Sequence, residues 1–183
     1  AILRRTAGRA TLLPRIVPLR DVDEDVLALG APDGAGDIDV PPAIPPLRRR
    51  LLLARLIRGW WAAGNDGAVM PLDLALRLAD ALGTLLDSAQ TEEVPFDRLA
   101  DLVPADLAAH WQITVDFLTI VTAQWPTVLA TQAAIDPATR RNRLLDAQAA
   151  AWRRTPPDAP VFAAGSTGSI PATARLLATV ATM

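Results

Sequence analysis

The sequence predicts an α/β fold with a large all-helical insertion, so that the chain is predominantly helical. Between residues 47 and 152 the apolar residues recur at helical spacing, with prolines where helices begin. On either side of this block, at 10–19 and 161–164, lies a short apolar run typical of a strand. We therefore divide the chain into a first α/β piece at 1–39, a helical subdomain at 40–157 and a second α/β piece at 158–183.

The first α/β piece opens with the predicted strand at 10–19. Pro14 removes a ladder donor from this strand, which indicates that the strand lies at an edge or is broken there. The acidic stretch at 21–25 supplies capping residues for a short helix that ends near Leu29. A loop rich in Gly and Asp follows, and the proline-rich residues 41–46 form a stiff, extended connector.

The helical subdomain is predicted from periodicity and from proline positions. A first helix covers 47–61, and Pro71 opens a second. A short helical piece at 94–103 precedes a longer helix from Pro104, which Pro126 kinks or restarts. The last helix of the block is capped by Asp136, has Pro137 in its first turn and runs to about Arg154.

The second α/β piece reads as strand, glycine turn and helix. The predicted strand at 161–164 meets the turn Gly165-Ser166-Thr167-Gly168-Ser169, and an apolar helix pattern covers 172–180. A phosphate loop of the Walker A type needs Lys after its second Gly, where Ser169 stands. The turn glycines are expected to have positive φ, with Ser169 capping the helix and Pro171 in its first turn. The free N–H groups of this turn are a candidate phosphate site.

Composition excludes several kinds of chemistry. The chain of 183 residues has no Cys, which rules out disulfides, thiolate metal sites and thiol catalysis within it. All 18 of its basic residues are Arg, yet the net charge is −2, so a nucleic-acid contact depends on local arginine clusters. We find neither an apolar run long enough to span a membrane nor a secretory signal. The two ends suggest a piece of a longer protein.

A family resemblance emerges from eight segments taken together. The segments are GRATLLPRIVPLRDVDED at 8–25, PAIPPLRRRLLLAR at 42–55, LADAL at 78–82, LLD at 85–87, TEEV at 91–94, HW at 110–111, RNRLL at 141–145 and AAGSTGSIPAT at 163–173. In this order they resemble AddB proteins of the alphaproteobacterial type, a subunit of a helicase–nuclease that processes DNA double-strand breaks. The chain departs from the family pattern at Arg20, where Gly is expected.

The resemblance implies the N-terminal, helicase-like region of such a subunit. The α/β pieces would then be parts of a RecA-like lobe, and the helical block its insertion. Expected partners are DNA, as a single strand or a duplex end, and an AddA-type motor subunit in a heterodimer, in the cytoplasm and without a membrane. No cofactor is expected in this piece, whereas ATP with Mg and an iron–sulfur cluster are possible in the parent.

Two arginine clusters are the candidate DNA contacts. One is Arg48, Arg49 and Arg50 at the start of the first long helix, and the other is Arg140, Arg141 and Arg143. Contact with phosphates and a solvated helix end remain open as alternative interpretations.

The remaining polar and aromatic candidates favour structural roles. A calcium loop starting at Asp21 fails, because Val26 and Pro32 stand where Gly and Glu are required, so the acidic run favours capping. His110 is the sole histidine and favours a structural role. Trp111 and Trp125 are assigned to the core, and one of the adjacent Trp60 and Trp61 is expected to be exposed.

No catalytic or metal-binding residue is predicted. Serine hydrolysis lacks a Gly-x-Ser-x-Gly turn, since Ala164 and Gly168 flank the position of Ser166. The sequence therefore favours a non-catalytic piece of a DNA-repair subunit. An independent helical interaction or scaffold domain is the alternative.

Overall fold

The described part of the protein is built from helices. A computed structural model describes residues 39–95, 117–118 and 120–183. These residues contain five α-helices and no strand: α1 (Pro46–Gly64), α2 (Leu72–Thr91), α3 (Trp125–Thr131), α4 (Pro137–Arg154) and α5 (Pro171–Thr182). A π-helical turn, Ile120–Gln124, leads directly into α3. The prediction of a predominantly helical chain is confirmed for this part, and the sequence-predicted helices at 47–61, 137–154 and 172–180 correspond to α1, α4 and α5.

Helices α1 and α2 form an antiparallel hairpin that contains most of the core. Proline starts each of them: Pro46 lies in the first turn of α1, and Pro71 precedes α2. The connecting turn uses left-handed backbone at Asp66 (φ 47°) and Gly67 (φ 80°). The apolar faces of the two helices meet in a cluster of buried side chains, which includes Leu53, Ala54, Ile57, Ala75, Ala79, Leu82 and Leu86.

The π-helical turn before α3 has a local cause. Pro126, in the first turn of α3, has no N–H to donate to the carbonyl four residues earlier. The wider i→i+5 pattern of Ile120–Gln124 accommodates the missing bond. This agrees with the prediction that Pro126 kinks or restarts the helix. It leaves Ile120 and Trp125 directed into the core, at 0% and 1% exposure.

The proline-rich connector is part of the packed structure. Ile44 is 1% exposed, and its N–H donates to the carbonyl of Ile135 at 2.9 Å. The Ile135 N–H donates in turn to the carbonyl of Pro42 at 3.0 Å, which gives a parallel bridge. These two bonds hold the start of α1 beside the start of α4.

Helices α4 and α5 pack against each other through a smaller cluster. Its buried members are Leu145 and Ala149 of α4 with Ala172 and Leu176 of α5. Trp152, half-buried, packs against them. This cluster has four buried members, against eleven in the core around α1 and α2, so α5 is held by a smaller apolar contact.

The predicted strand at 161–164 is wrong. These residues are irregular, and Phe162 is 89% exposed. A strand needs a neighbour for its backbone groups, and within the described residues 161–164 have none. The α/β part of the predicted fold is therefore not seen here.

Other predicted elements lie outside the described residues. These are the strand at 10–19, the helix that follows it, nearly all of the piece at 94–103 and the start of the helix from Pro104. Among the described helices, none is both long and apolar enough to cross a membrane.

Candidate nucleic-acid interface

The three consecutive arginines at the start of α1 have three different environments. Successive helical residues point about 100° apart, so they cannot share one face. Arg48 is exposed and has no polar partner among the described residues. Arg50 donates to Asp80 at 2.7 Å, with both side chains about half exposed. Arg49 is turned inward, at 9% exposure.

Arg49 is held between two carboxylates. Its Nε donates to Asp136 Oδ1 at 2.8 Å, and its two terminal nitrogens donate to Asp87 at 2.8 and 3.0 Å. The Gly83 carbonyl accepts a longer bond, at 3.4 Å. With its guanidinium occupied by these groups, Arg49 has a structural role in the fold, and we omit it from the candidate interface.

Asp136 is the centre of this arrangement. Its side chain is 1% exposed, and Oδ2 accepts bonds from Trp125 Nε1 at 2.9 Å and Gln90 Nε2 at 2.7 Å. Asp136 occupies the predicted cap position of α4, but its carboxylate makes no capping bond. We name Arg49, Asp87, Gln90, Trp125 and Asp136 the Asp136 junction. The junction links α1, α2, α3 and α4.

The second arginine cluster is also divided between roles. Arg141 Nη2 donates to Thr91 Oγ1 at 2.9 Å, which joins α4 to the end of α2. Arg140 is half-buried and engaged with its surroundings. Arg143 is exposed and unpaired within the described residues. Of the six predicted DNA contacts, Arg48 and Arg143 are thus the two whose side chains have no partner in the ranges that the structure describes.

The glycine turn before α5 has the predicted backbone but a different cap. Gly165 and Gly168 have φ of 73° and 68°, so the prediction of positive φ is confirmed. The cap residue is Ile170, not Ser169, and it makes no side-chain bond. Ser169 Oγ instead accepts from Thr167 Oγ1 at 3.3 Å, while the Gly168 N–H donates to Ser166 Oγ at 3.4 Å. Phosphate binding at this turn stays a prediction.

Two further arginines lie on the same side of α1 as Arg48. Arg55 is exposed and Arg58 half-buried, and neither has a polar partner among the described residues. We name Arg48, Arg55 and Arg58 the arginine row. The spacing in the sequence, i, i+7 and i+10, is the signal that would have revealed it.

An arginine on α5 was missed by sequence reasoning. Arg175 donates two bonds to Asp146, at 2.7 and 2.9 Å, and two to Glu93, at 2.8 and 2.6 Å. We name these three residues the Arg175 bridge. Hydrogen bonding from Arg175 lowers the pKa of Glu93, and the carboxylates of Glu93 and Asp146 raise the pKa of Arg175. In the sequence, Arg175 is the single charged residue of an apolar helix pattern, and this was the signal that it has a partner.

The tryptophans agree only partly with the predictions. Trp125 lies in the core as predicted. Trp60 and Trp61 are both half-buried, so the expectation that one is exposed is wrong. The ring of Trp60 meets Phe117 edge-on, with centroids 5.1 Å apart. Trp111, His110 and the acidic run at 21–25 lie outside the described residues.

Comparison with known proteins adds no relative. No protein-family model, no curated protein and no solved structure matches the chain. Within the described ranges, no three acidic or histidine side chains are grouped as metal ligands.

Proposed function

We propose that this chain is a non-catalytic, helicase-like portion of a DNA double-strand-break repair subunit of the AddB type. The ordered resemblance along nearly the whole chain supports the proposal. In it, the helical subdomain lines part of a DNA channel and contacts an AddA-type motor subunit.

The observation that carries this proposal is the set of free arginines on the helical subdomain. Arg48 on α1 and Arg143 on α4 are exposed and, among the described residues, unpaired. An unpaired guanidinium binds a phosphate more favourably than one already engaged in an ion pair, because it can donate two parallel hydrogen bonds to it. These two positions belong to the segments at 42–55 and 141–145 that carry the resemblance.

The proposal also assigns the flanking pieces and the chemistry. Residues 1–39 and 158–183 are taken as parts of a RecA-like lobe in a cytoplasmic protein. ATP, Mg and an iron–sulfur cluster are assigned to the parent. The chain itself should therefore hydrolyse neither ATP nor DNA. This assignment would be overturned if the purified chain hydrolysed ATP or DNA and a substitution within the chain abolished that activity.

The test is a DNA titration of the 183-residue chain at several salt concentrations. A labelled single strand and a labelled duplex end serve as probes. We expect binding that weakens steeply as salt rises, because phosphate contacts release counterions. Absence of salt-dependent binding to both probes, by a chain that melts cooperatively, would overturn the proposal.

A helical interaction or scaffold domain is the second candidate. It is favoured by an apolar row on α2, in which Leu74 and Leu85 are 37% and 42% exposed. Leu78 and Ala81 lie between them at the four-three-four spacing of helix-pairing surfaces. This candidate predicts self-association or protein binding that Leu85→Arg abolishes, together with no affinity for DNA.

A further inference from the structure

We infer that the arginine row on α1, with Gly59, is a binding site for nucleic-acid phosphates. The inference rests on the proposed DNA role and specifies the residues that carry it. Arg55, Arg58 and Gly59 belong to neither predicted cluster.

The geometry of α1 brings the row together. At about 100° per residue, Arg48, Arg55 and Arg58 fall within roughly 80° of one another around the helix. Arg48 and Arg58 are separated by about 15 Å along the axis. Ile57, at 0% exposure, marks the side that faces the core, and the row lies away from it.

Among the described residues, no carboxylate compensates the charge of the row. Helix α1 contains five arginines and no acidic residue. The carboxylates that approach it are already used, since Asp87 and Asp136 hold Arg49 and Asp80 holds Arg50. The charges of the row therefore remain available to an external anion.

Arg58 contributes a hydrogen-bond donor to the site. Its Nε is buried, yet no acceptor for it lies in the described part of the chain. A buried donor without an acceptor costs free energy, and an incoming oxygen that accepts from it recovers that cost. A phosphate oxygen supplies both the acceptor and the negative charge.

Gly59 is the second feature of the site. It lies about 20° around the helix from Arg48 and about 40° from Arg55, on the side away from Arg58. It is exposed, and among the described residues no atom lies within 4 Å of the position a Cβ would take. Glycine weakens a helix, and no contact with the described part of the chain requires it here. An absent side chain one helical turn after Arg55 lets a phosphate backbone approach α1 closely at that end of the row.

The experiment compares two triple variants that remove the same charge. One is Arg48→Ala/Arg55→Ala/Arg58→Ala, and the control is Arg77→Ala/Arg153→Ala/Arg154→Ala, three exposed arginines outside the row. Binding of a labelled duplex and a labelled single strand is titrated against salt. For the row variant we expect the slope of log K against log salt to shrink by about 3 for duplex and about 2 for single strands.

A third variant separates shape from charge. Gly59→Leu leaves the charge unchanged but fills the space beside the row. We expect it to weaken DNA binding about tenfold without reducing the melting temperature, because leucine favours the helix.

The outcomes separate this inference from the proposed function. If the unaltered chain binds no DNA, the proposed function fails, and the inference fails with it. If the chain binds DNA but the two triple variants behave alike, the inference alone is overturned. If the row variant loses binding to an acidic peptide probe while DNA binding is unchanged, the row serves a protein partner and the inference is again overturned.

Discussion

Two parts of this molecule hold an arginine between two carboxylates, and they differ mainly in burial. In the Asp136 junction, the side chains of Arg49 and Asp136 are 10% and 1% exposed. In the Arg175 bridge, the side chains of Arg175, Glu93 and Asp146 are 41%, 36% and 44% exposed. Water competes for all three side chains of the second site, whereas in the first it reaches Asp87, 46% exposed, and is nearly excluded from Arg49 and Asp136. Similar hydrogen bonds should therefore contribute very differently to stability.

The helices joined by the Asp136 junction also pack differently from those joined by the Arg175 bridge. Around the junction, α1, α2 and α3 share a large core that includes Trp125. At the bridge, α5 meets α4 through the four-residue cluster and the exposed ion pairs. The stability of α5 should consequently depend more on salt, on pH and on the turn that precedes it than the stability of α1, α2 and α3 does.

The largest effect is expected from Asp136→Ala. The change leaves Arg49 without one of its two carboxylates and leaves the indole N–H of Trp125 and the amide of Gln90 without acceptors. We expect a loss of about 3–5 kcal/mol in the free energy of unfolding, measured by urea denaturation.

Asp146→Ala is the matched control, because it removes one of the two carboxylates of the exposed bridge. It should cost less than about 1 kcal/mol. Equal losses for the two variants would contradict the view that burial separates the junction from the bridge.

A smaller effect is expected from Gly168→Val. Its φ of 68° strains any branched residue, and a Cβ there would lie 3.3 Å from Leu177 Cδ1. We expect a loss of about 1–3 kcal/mol, read from thermal melting. Gly165→Val is the comparison, since Gly165 has a similar φ of 73° but no atom within 4 Å of the added Cβ.

The comparison isolates packing from backbone strain. Both variants carry the strain, and only Gly168→Val adds the contact with α5. A harmless Gly168→Val, or a larger loss for Gly165→Val, would mean that the turn does not hold the start of α5. Ser166→Ala should change stability much less than Gly168→Val.

The Arg175 bridge should give a small, pH-dependent contribution. Since Arg175 lowers the pKa of Glu93, the stabilisation is fully present above the usual value of 4.5 and is lost as the pH falls through the lowered value. Arg175→Ala should reduce stability by less than about 1 kcal/mol near neutral pH, and less at high salt. Melting curves from pH 7 to pH 3 check this.

Glu93→Gln is the control for that pH dependence. It should remove the part of the acid sensitivity that comes from the bridge and leave the remainder. A stability profile of Glu93→Gln that matches the unaltered chain at every pH would exclude Glu93 as the source.

The smallest stability change, with opposite sign, is expected for Gly59→Ala. The position is helical and open, so alanine should raise the free energy of unfolding by about 0.5–1 kcal/mol. Urea denaturation measures the change. Destabilisation would show that Gly59 has a structural purpose within the fold, in contrast to the interpretation of the arginine row.

The sequence predicted helices better than it predicted contacts. Pro71, Pro126 and Pro137 mark helix starts because proline acts on its immediate neighbours, and all three act at helix starts in the structure. The short run at 161–164 has the composition of a strand, but a strand also needs a partner that composition does not supply.

The roles of single arginines depended on distant residues. Arg49 is 87 positions from Asp136, and nothing in the local run at 48–50 distinguishes the buried arginine from its neighbours. The Arg175 bridge spans 82 positions to Glu93, a residue with a left-handed φ of 54° that local patterns do not predict. Such pairings are fixed by the packing of helices that are distant from one another in the sequence.

The parallel bridge that Ile135 makes through its hydrogen bonds to Pro42 and Ile44 has an electrostatic consequence. By holding the starts of α1 and α4 side by side, it places the positive ends of two helix dipoles next to each other. The buried carboxylate of Asp136 lies between them, and the C-terminal end of α2, of negative sign, reaches the same place through Gln90. The protein thus provides its own anion for these two helix starts, and their dipoles contribute little to binding a phosphate. In the proposed interface, external anions bind instead along the side of α1, at the arginine row.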